Sequence, residues 1–164
     1  MKLYFYTVSD SYINFLKQIE RKVPNNNYSN RKKLFIGIVL EINGHKYLAP
    51  LTSYKKSQDN ISDSSPTIEK LHERGNPDNK LGMIQFRYMI PVIDSEIQLL
   101  DIENQPEPYK SMLYKQFEFM KLRTNTILKK ARRLHKLVVE TKKDFFCRKS
   151  CDFKSLEENY RNFS

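Results

Sequence analysis

Thr52-Ser53-Tyr54-Lys55-Lys56 places two hydroxyls and two ammonium groups almost side by side, and Lys33 stands at the start of the apolar run that leads toward them. Hydroxyls can orient or bond an oxyanion, and lysines can neutralise its charge. In such a site, preorganised donors aimed at developing charge usually contribute most to the rate. A lysine crowded by other cations loses basicity and can carry a proton. The set therefore suits the handling of a phosphate. Taken singly the residues are ordinary: a lysine at a strand start is usually a solvated end, and Thr-Ser at a strand end is usually turn chemistry. Only elements that bring them together give them meaning.

The stretch Lys33–Lys56 supplies such an element. Apolar β-formers run from Leu34 to Ile42, Asn43-Gly44 follows, and a second β-rich run spans His45–Ser53. Asn-Gly between two such runs is the strongest short-range hairpin signal, because a type I′ turn needs two residues tolerant of positive φ. A two-residue loop pairs Ile42 with His45 and Lys33 with Tyr54, with Thr52 the same-face diagonal neighbour of Lys33 at roughly 7–8 Å. Leu34, Ile36, Ile38, Leu40 and Ile42 then share a core face with Tyr47, Ala49 and Leu51. On the other face Glu41 and Lys46 are expected to pair across the strands. Gly37 opposite Pro50 is expected to mark an edge or a bulge, since proline donates no ladder hydrogen bond.

Bulk composition narrows the partners. The chain has 164 residues, enough for one domain with a real core, and carries a net charge of +10. Residues 109–149 hold 13 basic and 3 acidic side chains, so nearly the whole excess sits there. A concentrated basic segment is the footprint of a polyanion, nucleic acid first and an anionic membrane second. The start KLYFYTVSDSY does not read as a signal peptide, and no apolar run approaches the ~20 residues of a membrane span. Cys147 and Cys151 are expected as reduced thiols. With His45, His72 and His135 scattered they make no zinc set, so no metal and no cofactor is expected. His45, at the hairpin turn, is about 30 Å along the strand from the hydroxyl–lysine cluster and cannot be its base. His135 lies among basic residues and is expected to be solvated or to face a polyanion.

In chain order, 2–8 read as a strand, Ser9 or Asp10 as a cap, and Tyr12, Ile13, Phe15, Leu16 and Ile19 as the inner face of a helix. A polar loop over 24–32 carries Tyr28 and delivers Arg31, Lys32 and Lys33 to the hairpin. Residues 54–66 read as mobile loop, 67–71 as a short strand, 72–79 as a turn-rich connector, 81–93 as a strand broken at Pro91, and 96–102 as another strand. Two helices are expected, Tyr109–Leu122 and Asn125–Thr141, the second flanked by Lys129, Lys130, Arg132, Arg133 and Lys136, and a last short one at Ser155–Tyr160. Strands first and helices later argue an α+β fold with an antiparallel sheet and the longest helices in the C-terminal half. In Tyr109–Lys115, aromatics and lysines interleave. That pattern suits stacking on unpaired bases while ammonium groups hold phosphates.

The motifs FIGIVLEINGHKYLAPLTSYKK, KVPNNN, MIPVI and PYKSMLYKQFEFM, with the KLYFYTVS start and SLEENYRNF end, resemble the ToxN/AbiQ family of type III toxin–antitoxin and abortive-infection endoribonucleases. The resemblance runs over nearly the whole chain. It implies a twisted antiparallel sheet related to the small barrel-like toxins of the Kid/MazF and CcdB kind. It implies cytoplasmic, metal-independent, sequence-selective cleavage of mRNA, with the ribose 2′-OH as nucleophile and a 2′,3′-cyclic phosphate product. It implies an antitoxin of RNA: repeat-derived pseudoknots that the toxin cuts out and stays bound to in a closed protein–RNA hetero-oligomer. Neither a membrane nor DNA enters. Carried over residue by residue, the catalytic positions fall on Lys33, Thr52, Ser53 and Lys55, with Lys32 the fallback for Lys33. The loop tyrosine falls on Tyr28. Tyr54 stands where other members can carry proline, with consequences for base stacking or cut-site preference. Lys33 is the candidate acid or base, and Ser53 or Thr52 the group that orients the 2′-OH or a phosphate oxygen. Tyr28, Lys32, Lys56, Tyr109, Lys110, Tyr114 and Lys115 are candidate RNA contacts, and the flank Lys129, Lys130, Arg132 and Arg133 the candidate contact to the antitoxin backbone. The competing reading is a non-catalytic RNA- or protein-binding module of the same fold, which would not require the Lys33/Thr52/Ser53/Lys55 set.

Overall fold

The structure, a computed structural model, describes residues 3–25 and 35–164, with Phe35 and Ile36 described by their backbone alone. Strand β1 (Phe5–Val8) leads into helix α1 (Asp10–Ile19). Ser9 is the N-cap, its side chain accepting from the Tyr12 amide, and Tyr12, Ile13 and Leu16 bury one face. The hairpin of β2 (Phe35–Ile42) and β3 (His45–Thr52) follows, in the register the turn dictates: Ile42 faces His45 and Gly37 faces Pro50 without a shift. Asn43 and Gly44 take φ of 51° and 80°, the pair of positive values a type I′ turn requires.

The faces follow from that register. Ile38, Leu40, Ile42, Tyr47 and Ala49 are buried in the core. Leu48, of the opposite parity and facing Val39, is buried too, and its side chain lies diagonally over Gly37, where an added Cβ would come within 2.5 Å of Leu48 Cδ2 and 2.3 Å of the Ala49 carbonyl oxygen. Pro50 marks neither an edge nor a bulge. It is where β3 leaves β2 and takes up β5 (Asn76–Gln85), through Leu51↔Ile84 and Thr52↔Met83. A residue with no N–H forfeits least at such a switch. Lys46 faces Glu41 in register, but its ammonium bonds Asp94 at 2.8 Å, so the expected cross-strand ion pair gives way to one with the loop after β6 (Ile90–Pro91).

With β4 (Ile68–Glu73) and β7 (Ile97–Leu99) the sheet has seven antiparallel strands in the order β4-β5-β3-β2-β1-β7, with β6 on β3. Among the described residues β4 and β7 do not meet, so the sheet is not a closed barrel. Several expected loops are structured. The connector after β4 is a tight turn with Glu73↔Asn76 paired, and 54–66 holds a 3-10 helix, Lys56–Asn60, that buries Gln58. The break expected at Pro91 comes earlier, at the 3-10 turn Phe86–Tyr88.

The two expected C-terminal helices are one, α2 (Tyr109–Val139), of 31 residues and so roughly 46 Å long. The weak helix formers Thr124-Asn125 do not break it. Thr124 Oγ1 bonds back to Met120 O at 3.2 Å, and Arg123 is anchored on the buried carboxylate of Glu69. A short helix α3 (Asp144–Lys149) precedes α4 (Phe153–Asn159), which Asp152 caps through the Ser155 amide. No described helix is long and apolar enough to cross a membrane.

Candidate active site

The end of β3 forms a corner. Thr52 is the last paired residue, and Ser53, Lys55 and Lys56 are exposed immediately after it. Thr52 Oγ1 accepts from Gln85 Nε2 at 3.2 Å, and Gln85 Oε1 in turn accepts from Arg87 Nε at 2.8 Å. The threonine oxygen is used here as an acceptor, which leaves its O–H able to donate elsewhere. Gln85 is buried, so the Thr52 oxygen is tied to the core through it. Neither Gln85 nor Arg87 is announced by the sequence pattern. The only available signal is that β5 pairs with the end of β3, and that pairing is not readable from either strand alone.

Behind the corner the backbones touch. Gly82 has φ of +111°, and a Cβ there would stand 2.2 Å from the Thr52 carbonyl oxygen. Two glutamines hold this part of β5. Gln58 Nε2 donates to Gly82 O at 3.5 Å, and Gln116 Nε2 of α2 donates to Leu81 O at 2.7 Å. Tyr54 turns away from the cluster: its hydroxyl donates to Asp59 Oδ2 at 2.5 Å, and Lys80 Nζ lies 3.0 Å from Asp59 Oδ1 and 5.1 Å from the centre of the Tyr54 ring. The Tyr54 hydroxyl, then Lys80, hold the Asp59 carboxyl below its ordinary range, and Asp59 raises Lys80. Lys55 and Lys56 have no carboxylate partner among the described residues. Lys33, Lys32 and Tyr28 lie outside the described residues, as does the expected placement of Lys33 beside Thr52.

The segment Tyr109–Lys115 opens α2. Lys110 bonds Glu103 at 2.8 Å, the Tyr114 hydroxyl donates to the same carboxylate, and Lys115 bonds Glu73 at 3.2 Å. Burial pushes the Tyr109 phenol up, which keeps it a neutral donor. Further along, Lys129, Arg132 and Arg133 are exposed as expected, on the face opposite Ile127, Ala131 and Leu134. Lys130 is not one of this group. Its relative exposure is 9%, and its ammonium bonds Glu69 at 3.0 Å, Ile68 O and Asp63 O. An uncompensated ammonium could not be buried there, and Glu69 compensates it. His135 is likewise buried rather than solvated. It lies 2.6 Å from Glu157 Oε1, which also accepts from the Tyr47 hydroxyl at 2.6 Å, and it stacks on Phe153. His45, at the turn, bonds the Tyr160 hydroxyl, well away from the Thr52 corner. Cys147 and Cys151 are free thiols, and burial pushes that of Cys151 up.

A hydroxyl–lysine corner held by buried amides, on a basic α+β protein with a long cationic helix, is the build of a protein that works on a polyanion. The chain belongs to the family of the toxin ToxN of type III toxin–antitoxin systems, whose model matches residues 4–161. It is 50% identical over 163 residues to the endoribonuclease ToxN of Pectobacterium atrosepticum, covering 97% of this chain and 92% of that protein. It is 35% identical over 161 residues to the endoribonuclease AbiQ of Lactococcus lactis subsp. lactis, covering 96% and 87%. A solved structure described as "A processed non-coding RNA regulates a bacterial antiviral system" superposes with a TM-score of 0.90 at 47% identity, covering 100% of this chain and 99% of that one.

Proposed function

We propose that this chain is a metal-independent endoribonuclease toxin whose reaction centre is the corner Thr52–Lys56 together with Lys33. The observation that carries the reading is the Thr52 hydroxyl, bonded by Gln85, which Arg87 bonds in turn, beside two exposed lysines without acidic partners among the described residues, in a chain whose relatives are endoribonucleases. In the reaction the ribose 2′-oxygen bonds to phosphorus as the bond to the 5′-oxygen breaks, leaving a 2′,3′-cyclic phosphate. A proton leaves the 2′-OH and one reaches the departing 5′-oxygen. Lys33 carries one of these transfers. Thr52 and Ser53 orient the 2′-OH and a phosphate oxygen, and Lys55 and Lys56 balance the charge that builds on the phosphorane.

The inhibitor in this reading is a pseudoknotted antitoxin RNA cut from a repeat transcript and bound in a closed protein–RNA assembly in the cytoplasm. Two separated ends of α2 support that arrangement. Its first turns lie by β5 and the corner, whereas Arg132 donates to Glu41 O beside the hairpin turn. The exposed stripe Lys129, Arg132, Arg133 can hold RNA phosphates at the far end while the corner engages a cleavage site. Kinship with the small barrel-like toxins belongs to the same proposal, with this sheet as an open relative of theirs.

Expression of the chain without its antitoxin tests the reading. Growth arrest is expected, and Lys33→Ala or Ser53→Ala is expected to relieve it while the protein keeps its thermal transition. Arrest that persists in both folded variants removes the corner from the mechanism.

A further inference from the structure

A groove of about 510 Å³ lies between β5 and the first turns of α2. Buried Leu81 and the half-buried Met112 and Tyr109 give it an apolar floor, Lys80 and Lys115 stand at its rim, and no carboxylate lines it. Its volume falls in the ~300–1,000 Å³ range of small-ligand sites. The groove begins at the reaction corner. Lys80 contacts the ring of Tyr54, and Gly82, next to Leu81, touches the Thr52 backbone. The Tyr109 hydroxyl, a neutral donor, has no hydrogen-bond partner among the described residues. The carboxylates that now hold Lys80 and Lys115, Asp59 and Glu73, form exposed pairs. Such pairs contribute little, so a phosphate oxygen can compete for either ammonium.

We propose that this groove is a nucleobase subsite, which takes one unpaired base of the RNA strand next to the phosphate held at the Thr52–Lys56 corner. The proposal rests on the endoribonuclease reading. Three features fit a flat base flanked by phosphates: a floor that accepts an aromatic face, a free phenol that can bond a base edge, and two rim lysines with no lining acid to repel the backbone. Single-stranded RNA is recognised in this way, by stacking on aromatic and apolar surface with cations along the backbone. An apolar peptide would have no use for the lysines.

The test uses the full chain and a short single-stranded oligoribonucleotide spanning a mapped cut, prepared with an abasic ribose at each position in turn. Ser111 is exposed and lines the groove, so Ser111→Trp fills it from the solvent side. Glu118→Trp, exposed two turns further along α2, serves as the control. In the parent, kcat/KM is expected to fall roughly tenfold or more at one position beside the cut, the loss of one stacked base. In Ser111→Trp that penalty is expected to vanish at that position alone, with cleavage of intact RNA reduced to the abasic level, while Glu118→Trp keeps the parent pattern. Abasic penalties in Ser111→Trp that match the parent at every position overturn the subsite. A parent that cuts no intact RNA overturns the endoribonuclease reading instead, and the two failures are distinct.

Discussion

Gly82→Ala perturbs the contact that holds the corner. The methyl would sit 2.2 Å from the Thr52 carbonyl oxygen and 3.2 Å from its carbon, both backbone atoms, so no side-chain rotation relieves it. The residue would also have to hold φ of +111°, a region L side chains rarely adopt. Conformational strain of that kind costs about 1–3 kcal/mol. With the displacement of the strand end added, the total is roughly 2–4 kcal/mol. In a domain of this size that corresponds to a fall in Tm of about 5–15 °C. Because the atom that must move belongs to Thr52, kcat is expected to fall about 10- to 100-fold at a temperature where the variant is fully folded. Gly44→Ala is the comparison. Gly44 has φ of +80° but nothing within 4 Å, so it is expected to lose about 1 kcal/mol of stability with kcat unchanged. Circular-dichroism melts and single-turnover cleavage measure both effects. A Gly82→Ala protein that melts and cleaves like the parent, or whose kcat falls no further than that of Gly44→Ala, would refute the contact's role.

Two further substitutions test the buried polar groups. Lys130→Ala leaves Glu69 buried with Arg123 as its remaining partner, and urea denaturation is expected to show a loss of about 2–4 kcal/mol. A loss within a few tenths would mean that Arg123 and water satisfy Glu69 alone. Glu157→Ala removes the common acceptor of Tyr47 and His135, at about 1–3 kcal/mol for each buried group left without it. The folded fraction should still cleave RNA at the parent rate, since His135 and Glu157 lie by the hairpin turn side of the sheet, and a large loss of kcat would place this network in the chemistry.

The hairpin was legible because one local signal determines it. Asn43-Gly44 demands a two-residue turn, the turn demands the register, and the register buries Ile38, Leu40, Tyr47 and Ala49. The Ser9 cap and the face of α1 were readable for the same reason. What could not be read depends on partners far along the chain. Lys130 looks like one more cation on a basic flank until β4 brings Glu69 to it, and His135 looks solvated until α4 brings Glu157. The length of α2 escaped because Thr124 and Asn125 are poor helix formers locally, while the neighbouring Arg123 is held by a distant carboxylate, that of Glu69. Of the site, Thr52, Ser53 and Lys55 were legible as residue types at the end of a strand. Gln85 and Arg87, which orient Thr52, were not, because they enter through the β3–β5 pairing. Lys33, Lys32 and Tyr28 rest on the sequence and on the resemblance it carries.

Metal-independent attack by the ribose 2′-OH is decided by incubating the purified, RNA-free protein with cellular RNA in excess EDTA and analysing the ends of the fragments. Cleavage is expected to survive EDTA, at a restricted set of sequences, with 2′,3′-cyclic phosphate on the upstream fragment and 5′-hydroxyl on the downstream one. Loss of cleavage in EDTA, or fragments that carry 5′-phosphates, would be incompatible with 2′-OH attack at the Thr52–Lys56 corner.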